Sequence, residues 1–347
     1  MKTLIALRKI VSAAVLANAL GVCVQLGSAH PNDGDSLVRV LPVRGRIYML
    51  VGAGANITMQ VGDDGILLVD TGGAKMSDQV LAAIRTISSK PIRYIVNTSI
   101  DADHTGGNVA ITKAGDTIAG GNVLGDIGES ATRGAAIISF QTILDRMSAS
   151  KGADVAPQGA WPTDTYERPQ KNLFINDEAV EIIHEPAAHT DGDSLVFFRR
   201  SDVVSTGDVF STVGYPVIDR ERGGSIQGII DALNVLLYQV TISGPKEEGG
   251  TLIVPGHGRL CDQADLVVYQ EMVTIIRDRV ENMVKKGMTL EQVKAAKPTS
   301  DYDPVYGAST GPWTTDMFVE AVYNSLAIQK DATQSASAPT FDTRVRK

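Results

Sequence analysis

The chain has 347 residues, 43% of them hydrophobic and 21% charged, with a formal net charge of −8. That apolar fraction excludes a disordered or low-complexity chain, and the length suits one large domain or a domain with an appendage. The acidic balance argues against nucleic acid or anionic lipid as a partner.

The chain opens with Lys2, Arg8 and Lys9, followed by a run from Ile10 to Leu26 that is mostly small and apolar. Gly27-Ser28-Ala29 then supplies small residues at cleavage spacing, so residues 1–29 are expected to be a signal peptide and the protein periplasmic or secreted. The run is short for a membrane span and gives way to the polar stretch from His30, which argues against insertion after cleavage. Lipidation at Cys23 is disfavoured by the bulk of Val22. Cleavage leaves Cys261 as the sole cysteine, so no disulfide within the chain is expected.

Three strands are predicted next, Arg46 to Val51, Asn56 to Val61 and Gly65 to Asp70, with Gly62-Asp-Asp-Gly65 as a turn. Met76, Val80, Ala83, Ile84 and Ile87 share one helical face, and Lys90-Pro91 ends that helix. Ile92 to Thr98 reads as another strand. Ala131 to Met147 is predicted to be an inserted helix and Ala156 to Pro169 a loop. Strands follow at Ala179 to His184, Ser194 to Phe198, Asp202 to Thr206 and Thr251 to Val254. A helix from Ile226 to Val240 interrupts them. Helices are then expected over Gln263 to Lys286, Thr289 to Ala296 and Trp313 to Leu326. From Lys330 the Ser-, Ala- and Thr-rich tail lacks periodicity and is expected to be disordered. The pattern is that of a layered α/β protein with functional residues gathered at strand ends.

Four short segments carry donors suited to metals. Thr98-Ser-Ile-Asp-Ala-Asp-His-Thr-Gly-Gly107 follows a strand, and so do His189 in AAHTDGDS, Asp208 in VVSTGDVF and His257 in IVPGHGRL. Divalent transition metals need several lone-pair donors at about 2 Å, which His and Asp supply. Asp103 and His104 are adjacent, and Gly106-Gly107 is expected to lend the backbone the freedom to aim both at one ion.

In this order the segments resemble the metallo-β-lactamase superfamily, whose loop pattern H-x-H-x-D-H precedes a lone His, a bridging Asp and a last His. The resemblance implies a four-layer αβ/βα sandwich over 30–260. A helical C-terminal extension over 261–329 and the tail over 330–347 follow. It implies one complete site made of Asp103, His104, Asp208 and His257. The other site is altered, because Ser99 and Asp101 stand where the pattern has histidines. Asp101, His189 and the bridging Asp208 are its expected ligands. Zn2+ is the expected metal, as one or two ions, with iron or manganese suited to the oxygen-rich altered site. Asp70, Ser99 and Asp193 are expected beside the ligands, where Asp70 resembles the superfamily's buried aspartate. Asp193 and Asp191 either orient His189 or form its turn. His184 is expected to be packed. Tyr215, Trp161 and Trp313 are candidates for pocket walls.

The implied activity is hydrolysis of a small-molecule ester, lactone, thioester or amide by a hydroxide generated on the metal, with Asp103 both ligating and orienting it. Two alternatives remain open: an iron-dependent oxidoreductase of the same fold, and a non-catalytic metal-binding protein. β-Lactamase activity is disfavoured by the altered loop and the C-terminal helices.

Overall fold

The computed structural model describes residues 37–117, 134–240 and 249–337. The proposed signal segment lies outside them. Among the described residues, no helix is long and apolar enough to cross a membrane.

Seven strands form the first sheet in sequential order: β1 (Arg39–Arg44), β2 (Ile47–Val51), β3 (Ile57–Val61), β4 (Ile66–Val69), β5 (Ile92–Val96), β6 (Ala136–Phe140) and β7 (Asp164–Tyr166). The first four are antiparallel, and β4 to β7 run parallel. The second sheet has five strands in the order β12 (Leu252–Val254), β11 (Val203–Ser205), β10 (Asp193–Phe198), β9 (Glu178–Glu185), β8 (Gln170–Ile175).

Side-chain alternation builds the layers. Leu67, Val69, Val96 and Ile138 point into the space between the sheets, where they meet Val196, Phe198, Val203 and Val254. Their neighbours Ile66, Leu68, Ile95 and Ile137 face the other way, onto Val80 and Ile84 of helix α1 (Ser77–Ile87). In the second sheet, Leu195, Phe197, Val204 and Ile253 face outward onto Ile229 and Leu233 of the helix Ile226–Gln239. These strands are buried on both faces, so a period of two sorts residues between two cores rather than between core and water. The result is the expected αβ/βα sandwich.

The helices after residue 261 close the outer core of the second sheet. Tyr269, Met272, Ile276 and Val280 of Gln263–Lys285, with Phe318 and Val322 of Thr315–Ser337, join the cluster containing Leu233 and Phe197. Polar contacts tie the sheets together near the functional edge: Thr58 Oγ1 donates to Ser205 Oγ at 3.0 Å, and Asn56 Nδ2 to the Pro255 carbonyl at 2.9 Å.

Several boundaries differ from the sequence reading. The inserted helix predicted from Ala131 is a strand over Ala136–Phe140 and a helix only over Gln141–Met147; 131–133 fall outside the described residues. An Ile137-Ile138 run fits helix and strand equally, and the vacant edge beside β5 decides for strand. Strand β7 lies within the predicted loop 156–169. Strands β1 and β8 were not predicted either, because their charged and amide residues mask the alternation. The last helix runs to Ser337, past the expected start of a disordered tail at Lys330. Each added residue of a formed helix closes one more hydrogen bond, which carries it beyond its packed part.

Candidate metal centre

The loops after β4, β5, β11 and β12 and the turn between β9 and β10 meet at one edge of the sandwich. Asp70 ends β4 in the left-handed region, at φ 65°. Asp101 precedes the one-turn helix Ala102–Thr105, with its backbone extended as at an N-cap, yet its side chain caps nothing. Its carboxylate is engaged elsewhere. Gly106 has ordinary helical dihedrals, φ −60° and ψ −31°, so its role is not conformational freedom. A Cβ there would overlap the Ala102 carbonyl and lie 2.6 Å from Ala74 N. The glycine permits close approach of two loops, which corrects the expected reason for it.

Two clusters of donors result, Asp103, His104 and His257 in one and Asp101, His189 and Asp208 in the other. Asp208 reaches both. Its Oδ2 lies 3.1 Å from His104 Nε2 and 3.8 Å from His189 Nε2, and its Oδ1 lies 3.4 Å from His257 Nε2. Asp103 Oδ2 lies 3.3 Å from His257 Nε2. All six sequence-predicted ligands are therefore brought together.

His104 is fully buried, and its Nδ1 donates to Asp70 Oδ2 at 2.7 Å. Among the described residues its Nε2 has no hydrogen-bond partner. Held this way, the imidazole turns Nε2 towards the Asp208 carboxylate at 3.1 Å, an arrangement that positive charge between them, from a proton or a metal ion, relieves. The donor set and the orphaned nitrogen fit a divalent metal.

Electrostatics point the same way. Burial opposes a charge on His104, but Asp208 and Asp70 raise its pKa well above the ordinary value. Burial opposes it on His189 too, and the Asp101 hydrogen bond and Asp208 charge lift that pKa to about 10. Hydrogen bonds with Asp103 and Asp208 raise His257 to about 9. Burial would raise Asp208, but His104 and the neighbouring histidines hold it well below the carboxylate range. The carboxylates demand positive charge here.

The neighbouring residues divide. Asp70 accepts from Thr98 N at 2.8 Å and Thr98 Oγ1 at 2.6 Å besides His104, so it orients a candidate ligand as expected. Ser99 is buried, and its Oγ accepts from Asp101 N at 3.3 Å, which shapes the loop. No hydrogen bond links Asp193 to His189. Asp193 accepts from Thr190 N and Thr190 Oγ1, each at 2.8 Å, and so holds the turn. His189 is oriented instead by the Val217 carbonyl, to which Nδ1 donates at 3.0 Å. Asp191 pairs with Arg146, and His184 stacks on Phe140.

A cavity of about 600 Å³ opens over both clusters. Tyr215 and Trp313 line it, with Val213, Val217 and Pro312. Trp161 does not: it packs against Ile100, Ile143 and Met147, and its indole N–H donates to the Ala156 carbonyl at 2.8 Å. No Lys or Arg is among the described residues lining the cavity.

One participant was missed by the sequence reading. Arg222 Nη1 donates to Asp101 Oδ1 at 2.8 Å across 121 residues of chain. Its Nη1 also meets Asp219 Oδ2 at 3.0 Å, and its Nε meets Asp154 Oδ2 at 3.1 Å. No local signal marks it, because nothing in Asp219-Arg-Glu-Arg222 distinguishes it from a solvated charged loop.

A family model described as "Metallo-beta-lactamase superfamily" matches residues 51–257, which span every candidate ligand. A linear primary-alkylsulfatase from Pseudomonas sp. (strain ATCC 19151) is 23% identical over 272 residues, 70% of this chain and 50% of that protein. Among solved structures, a stereoselective inverting sec-alkylsulfatase from Pseudomonas sp. aligns with a TM-score of 0.58 at 16% identity, over 87% of this chain and 52% of its own. A metallo-beta-lactamase from Pontibacter korlensis aligns with a TM-score of 0.50 at 16% identity, over 68% of this chain and 99% of its own. The chain thus spans about half the length of these alkylsulfatases.

Proposed function

The chain belongs to the metallo-β-lactamase superfamily, and from that premise we propose that it is a metal-dependent hydrolase of ester-type bonds in small molecules. The single observation that carries this reading is His104. Its Nδ1 proton is committed to Asp70 and its buried Nε2 is left without a partner beside Asp208. Asp103, His104, Asp208 and His257 would hold a divalent ion. Such an ion supplies Lewis acidity and brings the pKa of water within its reach towards neutrality.

The chain's own groups have distinct tasks. Asp103 is the most exposed of the three central carboxylates, and its Oδ atoms can accept the proton of an attacking water and aim it. His189 lines the same cavity. Val213, Tyr215, Val217 and Trp313 offer an apolar surface to the rest of the substrate. The described residues of the wall include no Lys or Arg, which supports an uncharged acyl ester, lactone or thioester over an anion.

Hydrolysis of an alkyl sulfate is the second reading, supported by the sulfatase relatives. The test is metal analysis of the purified protein, followed by hydrolysis of acyl esters, lactones, thioesters and alkyl sulfates with and without a chelator. Chelator-sensitive turnover that is lost with the metal in His104→Ala is the expected result. A metal-free protein, or turnover indifferent to chelation, would sink the proposal, and oxygen uptake without hydrolysis would favour the oxidoreductase alternative. Residues 1–29 are read as an export signal, which N-terminal sequencing of the protein from its host tests directly.

A further inference from the structure

Building on the metal-dependent reading above, we propose that the chain carries one metal ion and that Arg222 stands in for a second by clamping Asp101 onto His189. The two donor clusters differ in spacing, and spacing distinguishes ligand pairs from hydrogen-bonded pairs. Nitrogen and oxygen ligands about 2.0–2.2 Å from a tetrahedral ion lie roughly 3.3–3.5 Å from one another. His257 Nε2 is 3.3 Å from Asp103 Oδ2 and 3.4 Å from Asp208 Oδ1, the spread of a ligand set. His104 Nε2 is 3.1 Å from Asp208 Oδ2, slightly inside that spread, but the pair does not have hydrogen-bond geometry.

In the altered cluster, His189 Nε2 and Asp101 Oδ2 are 2.8 Å apart, the length of a direct hydrogen bond. The other His189 nitrogen donates to the Val217 carbonyl at 3.0 Å. The other Asp101 oxygen accepts from Arg222 Nη1 at 2.8 Å. Both nitrogens of one residue and both oxygens of the other therefore have hydrogen-bond partners, whereas His104 Nε2 faces Asp208 Oδ2 at 3.1 Å without hydrogen-bond geometry.

Arg222 is built to stay where it is. Asp154 and Asp219 grip its remaining donors, and Asp219 Oδ1 also accepts from the Arg222 backbone N–H at 3.0 Å. A guanidinium does not deprotonate in proteins, so Asp101 has a permanent counter-charge at its back. A second divalent ion would have to displace the His189–Asp101 bond and accept that positive neighbour. Arg222 is thus a positioning residue: it presents the Asp101–His189 pair to the cavity in a fixed orientation without metal.

Zn2+ stoichiometry tests the proposal. Wild type, Asp101→Asn, His104→Ala, Arg222→Met and Arg222→Lys are loaded with excess Zn2+, desalted and assayed for metal per chain, with thermal melts confirming folding. The expected result is one equivalent in wild type and Asp101→Asn, and none in His104→Ala. Arg222→Met, with Asp101 released, should titrate a second equivalent, and Arg222→Lys should return to one. Two equivalents in wild type, or one that vanishes in Asp101→Asn but survives in His104→Ala, would overturn the assignment and leave the metal-dependent reading intact. A metal-free wild type would defeat both. Asp101→Asn is close to isosteric, so the proposal stays testable if Arg222→Met fails to fold.

Discussion

Asp70 receives the Nδ1 proton of His104 at 2.7 Å while its own backbone sits at a φ of 65°. Asp tolerates the left-handed region better than most side chains, and the strain of about 1 kcal/mol or more is held by the bonds its carboxylate makes. Asn tolerates that backbone equally, so Asp70→Asn isolates the carboxylate. Three donors, Thr98 N, Thr98 Oγ1 and His104 Nδ1, then compete for one carbonyl oxygen while an amide N–H faces at least one of them. The expected outcome is a folded protein whose metal affinity falls roughly 10–100-fold, read by chelator competition.

Gly207 immediately precedes Asp208 and lies at a φ of 51°. A Cβ there would overlap Thr98 Oγ1 and sit 2.7 Å from Thr98 Cβ. Because Thr98 also braces Asp70, Gly207→Ala should loosen two sides of the centre together. Overpacking predicts a loss of roughly 1–3 kcal/mol, seen as a lower denaturant midpoint, with weaker metal binding than wild type under folding conditions. An unchanged midpoint would mean the two loops part without strain.

Glu185 makes stability depend on pH. It is buried at the end of β9, and among the described residues its Oε1 has no hydrogen-bond partner. Burial, reinforced by the charges of Asp193 and Asp231, raises its pKa to about 7. The unfolded chain should titrate near 4.3. Between those values the native state holds the extra proton, so this group's ionisation lowers stability as pH rises through that window. Glu185→Gln should therefore be more stable than wild type above pH 7, by at most roughly 3–4 kcal/mol, with the gain vanishing near pH 4. Asp193, raised by burial to about 6, adds a trend of the same sign in both proteins. Urea midpoints of the pair at pH 4 and pH 8 give the answer.

Trp313, in the segment between the last two helices, lines the cavity together with Val213 and Val217. If this wall binds the non-reacting part of the substrate, Trp313→Ala should raise KM about tenfold and change kcat much less. A fall in kcat at constant KM would assign the indole to the reacting end instead.

Much of this protein is written locally. The unbroken apolar runs Ile66-Leu-Leu-Val69 and Leu195-Val-Phe-Phe198 declare strands buried on two faces, and each candidate ligand lies in a segment that follows a strand. Asp103, His104, Asp208 and His257 were legible because their segments occur in the order of the metallo-β-lactamase pattern that the sequence resembles. Strands β1, β7 and β8 were not legible, since short or polar edge strands owe their existence to a partner strand rather than to their own pattern.

The altered site shows where local information ends. The sequence determined by itself that a carboxylate, Asp101, replaces a histidine in the loop. Only the tertiary structure decided what that carboxylate does, by bringing Arg222 to one oxygen and His189 to the other across 121 and 88 residues. Periodicity and turn chemistry act between neighbours in the chain and leave an imprint there. A charge pair closed through space leaves none, because its energy depends on distance in the folded molecule alone.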